Sequence, residues 1–233
     1  PRLEVNANGL PVLYGPTTGA IAGFDWNGLD WPETFDLSRS AEFIPSVFEP
    51  LGEHYFATRD ITAGNWYYFA RRQGASAEIE QIAQAGSALQ YTGAVSTHRR
   101  WMAAAEVFRN RVFFSDQANT WAEIPVSGKG DNGIALGVVN DTTALLVAIN
   151  SSPSSNTGVT WGLVQGSTWI PGATPLLCCV PGRLSYIPLI RRRPSGGLWV
   201  GWASSRSSVT ITSYQDGAWA PLRSIDSGIP SYS

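Results

Sequence analysis

The chain has 233 residues, 43% of them apolar, with 16 basic against 18 acidic residues for a net charge of −2. Charge this sparse and balanced argues against nucleic acid as the main partner, which would call for a basic stripe. No window approaches the roughly 18 consecutive apolar residues of a spanning helix, so membrane insertion is not expected either. The length suits one large all-β domain or two small ones.

The strand candidates follow one another in a repeated order. A short strand "RLEV" (2–5) and a turn "NANG" (6–9) lead into "LPVLYGPTTGAIAGFDWNGLDW" (10–31), which holds two further runs and ends on a Trp just past a second turn. "HYFAT" (54–58) and "TAGN" (62–65) precede "WYYFARRQGASAEIEQIAQAGSAL" (66–89), with Leu89 in the Trp place. "GAV" (93–95) and "STHR" (96–99) precede "WMAAAEVFRNRVFFSDQANTW" (101–121). "IALGVV" (134–139) and "NDTT" (140–143) precede "LLVAINSSPSSNTGVTWGLVQGSTW" (145–169). "LSYIPLI" (184–190) and "PSGG" (194–197) precede "LWVGWASSRSSVTITSYQDGAW" (198–219). Gly, Asn, Asp and Pro mark the turns because they tolerate positive φ or preset the bend.

The second runs start 56, 35, 44 and 53 residues apart, whereas the distance from that start to the Trp place holds between 20 and 24. A constant inner unit with variable links is how stacked repeats behave. The unit is a four-stranded antiparallel meander, and a single sheet of that size cannot bury both faces alone. Five of them set radially would shield one another. The sequence therefore predicts an all-β, five-bladed β-propeller, with repeats at 1–36, 37–92, 93–127, 128–173 and 174–226. The ring is expected to close by packing blade five on blade one. A β-sandwich or jelly roll is the alternative. Trp31, Trp121, Trp169 and Trp219 are read as fillers between neighbouring blades. The helix-friendly stretches 77–89 and 101–108 fit the repeat as strands.

This repeat style, seen in "DGAW" (216–219) and its counterparts along nearly the whole chain, resembles β-propeller lectins, in which Trp-bearing blades surround sugar pockets. The resemblance implies non-catalytic glycan binding. A shorter likeness lies in "SSNTGVTW" (154–161), similar to the S-x-D-x-G-x-T-W box of sialidases and related propellers, with Asn156 in the Asp place. It covers eight residues of one copy and would imply fold rather than activity. That family carries the box between third and fourth strands, whereas the repeat frame here sets it between second and third.

In a propeller the second-to-third and fourth-to-first links share one rim. The links at 36–53, 126–133 and 173–184 are long, so this rim is the expected functional one. The candidate ligand-binding residues are Arg72, Glu106, Arg109, Asp131, Trp161, Arg183 and Arg206, since sugars take an aromatic platform together with Arg and carboxylate partners for their hydroxyls. A glycan or glycoconjugate is the expected partner.

A sialidase-like glycoside hydrolase is the enzymatic alternative. It would need two carboxyl groups about 5–9.5 Å apart, and Glu42, Glu49, Glu53, Glu106 and Asp131 could supply them, although no spacing singles out a pair. A third reading is a structural or protein-docking propeller of a surface or phage particle. No G-x-S-x-G elbow, phosphate loop or H-E-x-x-H occurs. His54 and His98 stand alone, and the adjacent Cys178 and Cys179 suit neither a staple nor a zinc site. No cofactor and no metal are expected. "PRLEVNANG" has neither cationic leader nor apolar stretch, so no signal peptide is expected in this chain, yet the glycan reading favours an extracellular or cell- or particle-surface location.

Overall fold

The computed structural model describes residues 2–5, 8–17, 20–37, 46–48, 54–60, 64–107, 109–116, 120–126, 133–149, 158–173, 176–177, 188–203 and 208–226. These form five antiparallel sheets, each a meander of neighbouring strands. Blade 1 is β1 (Arg2–Val5), β2 (Pro11–Thr17), β3 (Ala20–Asp25) and β4 (Glu33–Asp36). Blade 2 is β5 (Ser46–Phe48), β6 (Tyr55–Asp60), β7 (Trp66–Gln73) and β8 (Ser76–Gln84). Blade 3 is β9 (Ala88–Val95), β10 (Arg100–Glu106), β11 (Asn110–Ser115) and β12 (Ala122–Ile124). Blade 4 is β13 (Gly133–Asn140), β14 (Thr143–Ile149), β15 (Gly158–Gln165) and β16 (Thr168–Pro171), with β17 (Leu176–Leu177) also on β15. Blade 5 is β18 (Leu189–Arg192), β19 (Leu198–Ala203), β20 (Ser208–Gln215) and β21 (Ala218–Trp219), with β22 (Arg223–Asp226) also on β20. The protein is a five-bladed β-propeller, and there is no helix among the described residues.

The sequence explains which strands lie inside. The second strand of blade 4, TALLVAI, is buried at every position. A strand covered on both faces reads as a continuous apolar run rather than an alternation. In blade 3, β10 places Met102 and Ala104 toward blade 2, and Trp101, Ala103 and Ala105 toward blade 4. The alanines let neighbouring sheets approach closely. By contrast β8, SAEIEQIAQ, stays half-exposed along its length, as an outermost strand should. The first strands β5, β9, β13 and β18 neighbour one another in succession around the axis.

Four apolar clusters fill the four successive gaps between blades. Tyr14 and Phe35 of blade 1 meet Phe56 and Ala70 of blade 2. Tyr67 and Phe69 of blade 2 meet Met102 and Phe113 of blade 3. Trp101 and Ile124 of blade 3 meet Leu146 and Val164 of blade 4. Leu145 and Val147 of blade 4 meet Val200 and Trp202 of blade 5. Each fully buried Leu, Val or Phe contributes about 1.5–3 kcal/mol. Packing of both sheet faces on neighbours rules out a two-sheet sandwich. Trp121, Trp169 and Trp219 pack on these clusters, as read from the sequence. Trp31 is the exception: it tilts against Trp26 of its own blade, with ring centroids 5.2 Å apart.

One expectation is corrected. The second copy is phased one strand later than the sequence reading placed it. The run from Trp66 is the third strand of its sheet, "HYFAT" lies in the second, and Leu89 falls in the first strand of blade 3. Among the described residues no apolar cluster joins blade five to blade one. Leu3 on blade 1 and Leu189, Trp199 and Ile225 on blade 5 are exposed.

Candidate functional site

The rim that carries second-to-third and fourth-to-first links is built, between blades 2 and 3, from residues that meet across five strands. Glu106 ends β10, the turn passes through Arg109, and Arg111 is the second residue of β11. Across the β11–β12 ladder Val112 pairs with Ile124 and Phe113 with Glu123, which sets Glu123 diagonal to Arg111 on one face. Arg111 Nε and Nη2 donate to the two carboxylate oxygens of Glu123 at 2.9 and 2.6 Å, a bidentate pair. Its Nη1 donates to the Gln84 carbonyl at 2.7 Å and to Glu106 Oε1 at 3.4 Å. The guanidinium lies over the Phe113 ring, 4.7 Å from its centroid.

Glu106 forms the floor. It accepts from the Tyr67 hydroxyl and from the Gly86 amide, both at 2.9 Å, and from Arg109 Nε at 3.4 Å. A Cβ at residue 86 would stand 2.6 Å from the Glu106 carboxyl, so any larger residue there would push that carboxylate from its place. Burial pushes the Glu106 carboxyl upward, but the Gly86 and Tyr67 hydrogen bonds and the Arg111 charge outweigh it and hold its pKa below the ordinary value. Burial and the neighbouring Glu106 push Tyr67 well up, so its hydroxyl remains a donor. The arrangement opens to solvent gradually. The Arg111 side chain is 10% exposed, Glu123 40% and Arg109 60%. Two guanidinium groups and two carboxylates leave the site near neutral, with donors and acceptors side by side beside aromatic rings.

Of the residues singled out from sequence, Glu106 and Arg109 come together here. Arg72 does not. It sits at the far end of β7, on the opposite rim, because the run from Trp66 is a third and not a second strand. Its Nε donates to the Gly74 carbonyl at 2.9 Å, and its two terminal nitrogens to Asp25 at 3.0 and 2.8 Å, Tyr14 Oη at 2.9 Å and Thr34 Oγ1 at 3.1 Å. All five of its N–H donors are thereby engaged, so Arg72 clamps blade 2 to blade 1. Burial raises the Asp25 carboxyl, yet the Arg72 pairing holds it below the ordinary value. Trp161 is a packing residue as well. It lies against Trp219 at 5.3 Å and Tyr214 at 5.8 Å, over Gly172, where a Cβ would stand 2.2 Å from its ring. Asp131, Arg183 and Arg206 lie outside the described residues, as do Glu42, Glu49, Glu53, Cys178, Cys179 and positions 154–157 of the box-like stretch. Gly158–Trp161 of that stretch open β15, a third strand.

Sequence reading missed Arg111 and Glu123. The signal available was an Arg on the same face as Phe113 in "NRVFFS" and a Glu two residues past the Trp121 place. Only the ladder register joins them. A second charged cluster, of Arg, Glu and Trp, joins blades 2 and 3 nearer the opposite rim. Arg100 pairs with Glu80, and Trp121 Nε1 donates to Glu80 at 2.8 Å. Both charged side chains are largely buried, and the cluster ties blade 3 to the outer strand of blade 2. His54 is buried between Tyr14 and the Val5 carbonyl, a structural role, and His98 is exposed in its turn.

The architecture defines a β-propeller with a polar, aromatic-backed cluster at one interblade rim. No sequence-family model matches the chain, and no curated protein matches its sequence. Solved structures do match it in fold. The lectin of Aleuria aurantia in complex with Fucα1-6GlcNAc superposes with a TM-score of 0.66 at 11% identity, over 97% of this chain and 78% of the lectin. That lectin is described as fucose-specific and as a six-bladed β-propeller. The SapL1 lectin in complex with α-methyl fucoside gives 0.60 at 14% identity, over 97% of this chain and 78% of that one. The GH43 protein BlXynB of Bacillus licheniformis gives 0.55 at 12% identity, and this chain spans about half of it, 53%.

Proposed function

We propose that this chain is a glycan-binding, lectin-like propeller whose binding cleft is the blade 2–blade 3 rim around Arg111 and Glu123. The observation that carries this reading is the bidentate pair, with its carboxylate partly open to solvent beside an exposed Arg109. A pair of neighbouring sugar hydroxyls offers both donors and acceptors. It can take hydrogen bonds from Arg109 and Arg111 and give them to Glu123, each strengthened by charge. Near-neutral net charge suits an uncharged saccharide better than a sialic acid, whose carboxylate would call for an arginine excess. The fucose ligands of the two lectins of like fold support a fucose-bearing glycan as the first candidate. A module of this kind would act outside cells or at a cell or particle surface. Glu106 is locked by four donors behind the cleft and has the surroundings of a structural carboxylate rather than of a proton-transferring one.

Titration calorimetry with α-methyl fucoside, after a glycan array, tests the reading. Binding should occur without turnover of a chromogenic glycoside panel. Glu123→Gln and Arg109→Ala should each weaken binding roughly ten- to hundredfold, from the 1.5–3 kcal/mol of a charged hydrogen bond, while leaving the melting temperature within a few degrees. Glycan binding that ignores both substitutions would move the site elsewhere. Absence of binding across the array would end the lectin reading, and turnover in the panel would favour a hydrolase.

A further inference from the structure

The filled interfaces obey a rule of contact. In each blade after the second, the tryptophan opening the fourth strand packs toward the third strand of the blade before it. Trp121 meets Phe69 at 5.2 Å and Trp219 meets Trp161 at 5.3 Å, while Trp169 shares a cluster with Phe114. Phe69 and Trp161 each stand five residues before the turn that closes their strand, at Gly74 and Gly166. The corresponding residue of blade 5 is Ile211, five before the turn at Asp216. It lines an open groove of about 600 Å³ with Trp199, Val209, Leu189 and Ile225. Strand alternation places all of these on the face turned away from blade 4. Trp199 is 46% exposed there, whereas Val200 and Trp202, turned toward blade 4, are buried.

Blade 1 shows the complementary half. Val12 and Tyr14 of β2 face blade 2, so Leu13 faces the other way, and Leu3, paired with Leu13, faces with it. Leu3 is 63% exposed. Trp31, the fourth-strand tryptophan of this blade, enters none of the four interblade clusters and leans on Trp26 instead. Direct closure would set Trp31 on Ile211 and cover Leu3, Trp199 and Ile225 together, yet all three are open at once.

We propose that a sixth four-stranded antiparallel blade completes the ring between blades 5 and 1. It is a sheet of about 47 residues, the mean repeat spacing. Its fourth-strand Trp enters the Ile211 groove, and a bulky third-strand residue covers Trp31. The six-bladed build of the Aleuria lectin, of which this chain spans about four fifths, fits a vacancy of one blade. A second copy of the chain fits less well. Blade 5 of one copy on blade 1 of the next leaves a face open at each end and grows a filament rather than closing.

The test appends this chain's own blade 4, residues 133–177, after Asp226, since that sheet is apolar on both faces. The 233-residue chain should sediment as a monomer and bind the apolar dye ANS. The extended chain should remain monomeric, lose most of that dye binding and melt roughly 5–10 °C higher, from the apolar area newly covered. Ile211→Asp in the extended chain should cancel the gain. An extended chain that folds but keeps its dye binding and melting point overturns the proposal. So does a 233-residue chain that is dimeric and silent to the dye, which makes a second copy the occupant. A second variant needs no extension: Leu189→Ser, Trp199→Ser and Ile225→Ser together in the 233-residue chain. The melting point should then stay within about 2 °C, as for exposed positions, and dye binding should fall. A loss of ten degrees or more would mean that blade 1 already covers this face.

Discussion

Glu106 is surrounded by groups that need its charge: the Gly86 amide, the Tyr67 hydroxyl and the Arg111 guanidinium. Glu106→Gln keeps an acceptor for two of these and leaves Arg111 with a neutral partner. A cost of about 1–3 kcal/mol is expected at neutral pH, read as a melting-point drop of roughly 2–4 °C per kcal/mol for a chain of this size. The pH dependence follows from the direction of the shift. The folded-state pKa of Glu106 is lowered, despite burial, by these donors. Its contribution is therefore complete above the unfolded-state value, about pH 4.3, and is lost as pH falls through the lower folded-state value. Asp25, lowered by Arg72, acts in the same direction. The melting-point gap between the parent and Glu106→Gln should shrink between pH 7 and pH 3. A gap of equal size at both pH values would show that the variant loses packing rather than charge pairing.

Four of the five repeating elements were legible because a Trp follows the last tight turn of the meander, as at Asp216–Gly217, where φ is 50° and 83°. Both angles are positive, as a two-residue hairpin turn requires. Blade 2 has no such mark. Its fourth strand opens as SAEIE after Gly74–Ala75, so the Trp place was sought one strand too far, and the three-residue β5 gave no pattern to correct it. That slip moved Arg72 to the wrong rim. In blade 3 the phase was right, and the turn after β10 led directly to Glu106 and Arg109. Arg111 and Glu123 escaped because their pairing is a diagonal contact across two strands, set by register and invisible in either strand alone. The tightest element is the blade 4 hairpin. A Cβ at Gly162 would stand 2.3 Å from the Trp169 ring and 2.6 Å from the Ile170 carbonyl, whereas one at Gly15 meets nothing within 4 Å. Gly162→Ala should cost about 1–3 kcal/mol through overpacking, and Gly15→Ala should stay within about 0.5 kcal/mol. Denaturant midpoints of the two variants decide it, and equal midpoints would contradict the packing described.

Across the whole molecule, stability is set by which blades have neighbours. Sheets that touch only their immediate neighbours behave as a chain of units joined by interface free energies. Blades 2, 3 and 4 each have two filled interfaces, whereas blades 1 and 5 have one among the described residues. Leu146 lies in the blade 3–blade 4 cluster and is fully buried, while Ile225 stands on the open face of blade 5. Leu146→Ala should cost about 2–5 kcal/mol and Ile225→Ala no more than about 0.5 kcal/mol. The same asymmetry should order local opening. Backbone amides of β10 and β14, covered on both sides, should exchange with solvent only through global unfolding. Those of β2 and β19 should exchange faster, through partial unfolding of an end blade. Native-state hydrogen exchange measures this directly. Uniform protection across all five second strands would mean that the end blades are as firmly held as the inner ones, and that the ring behaves as one closed cooperative unit.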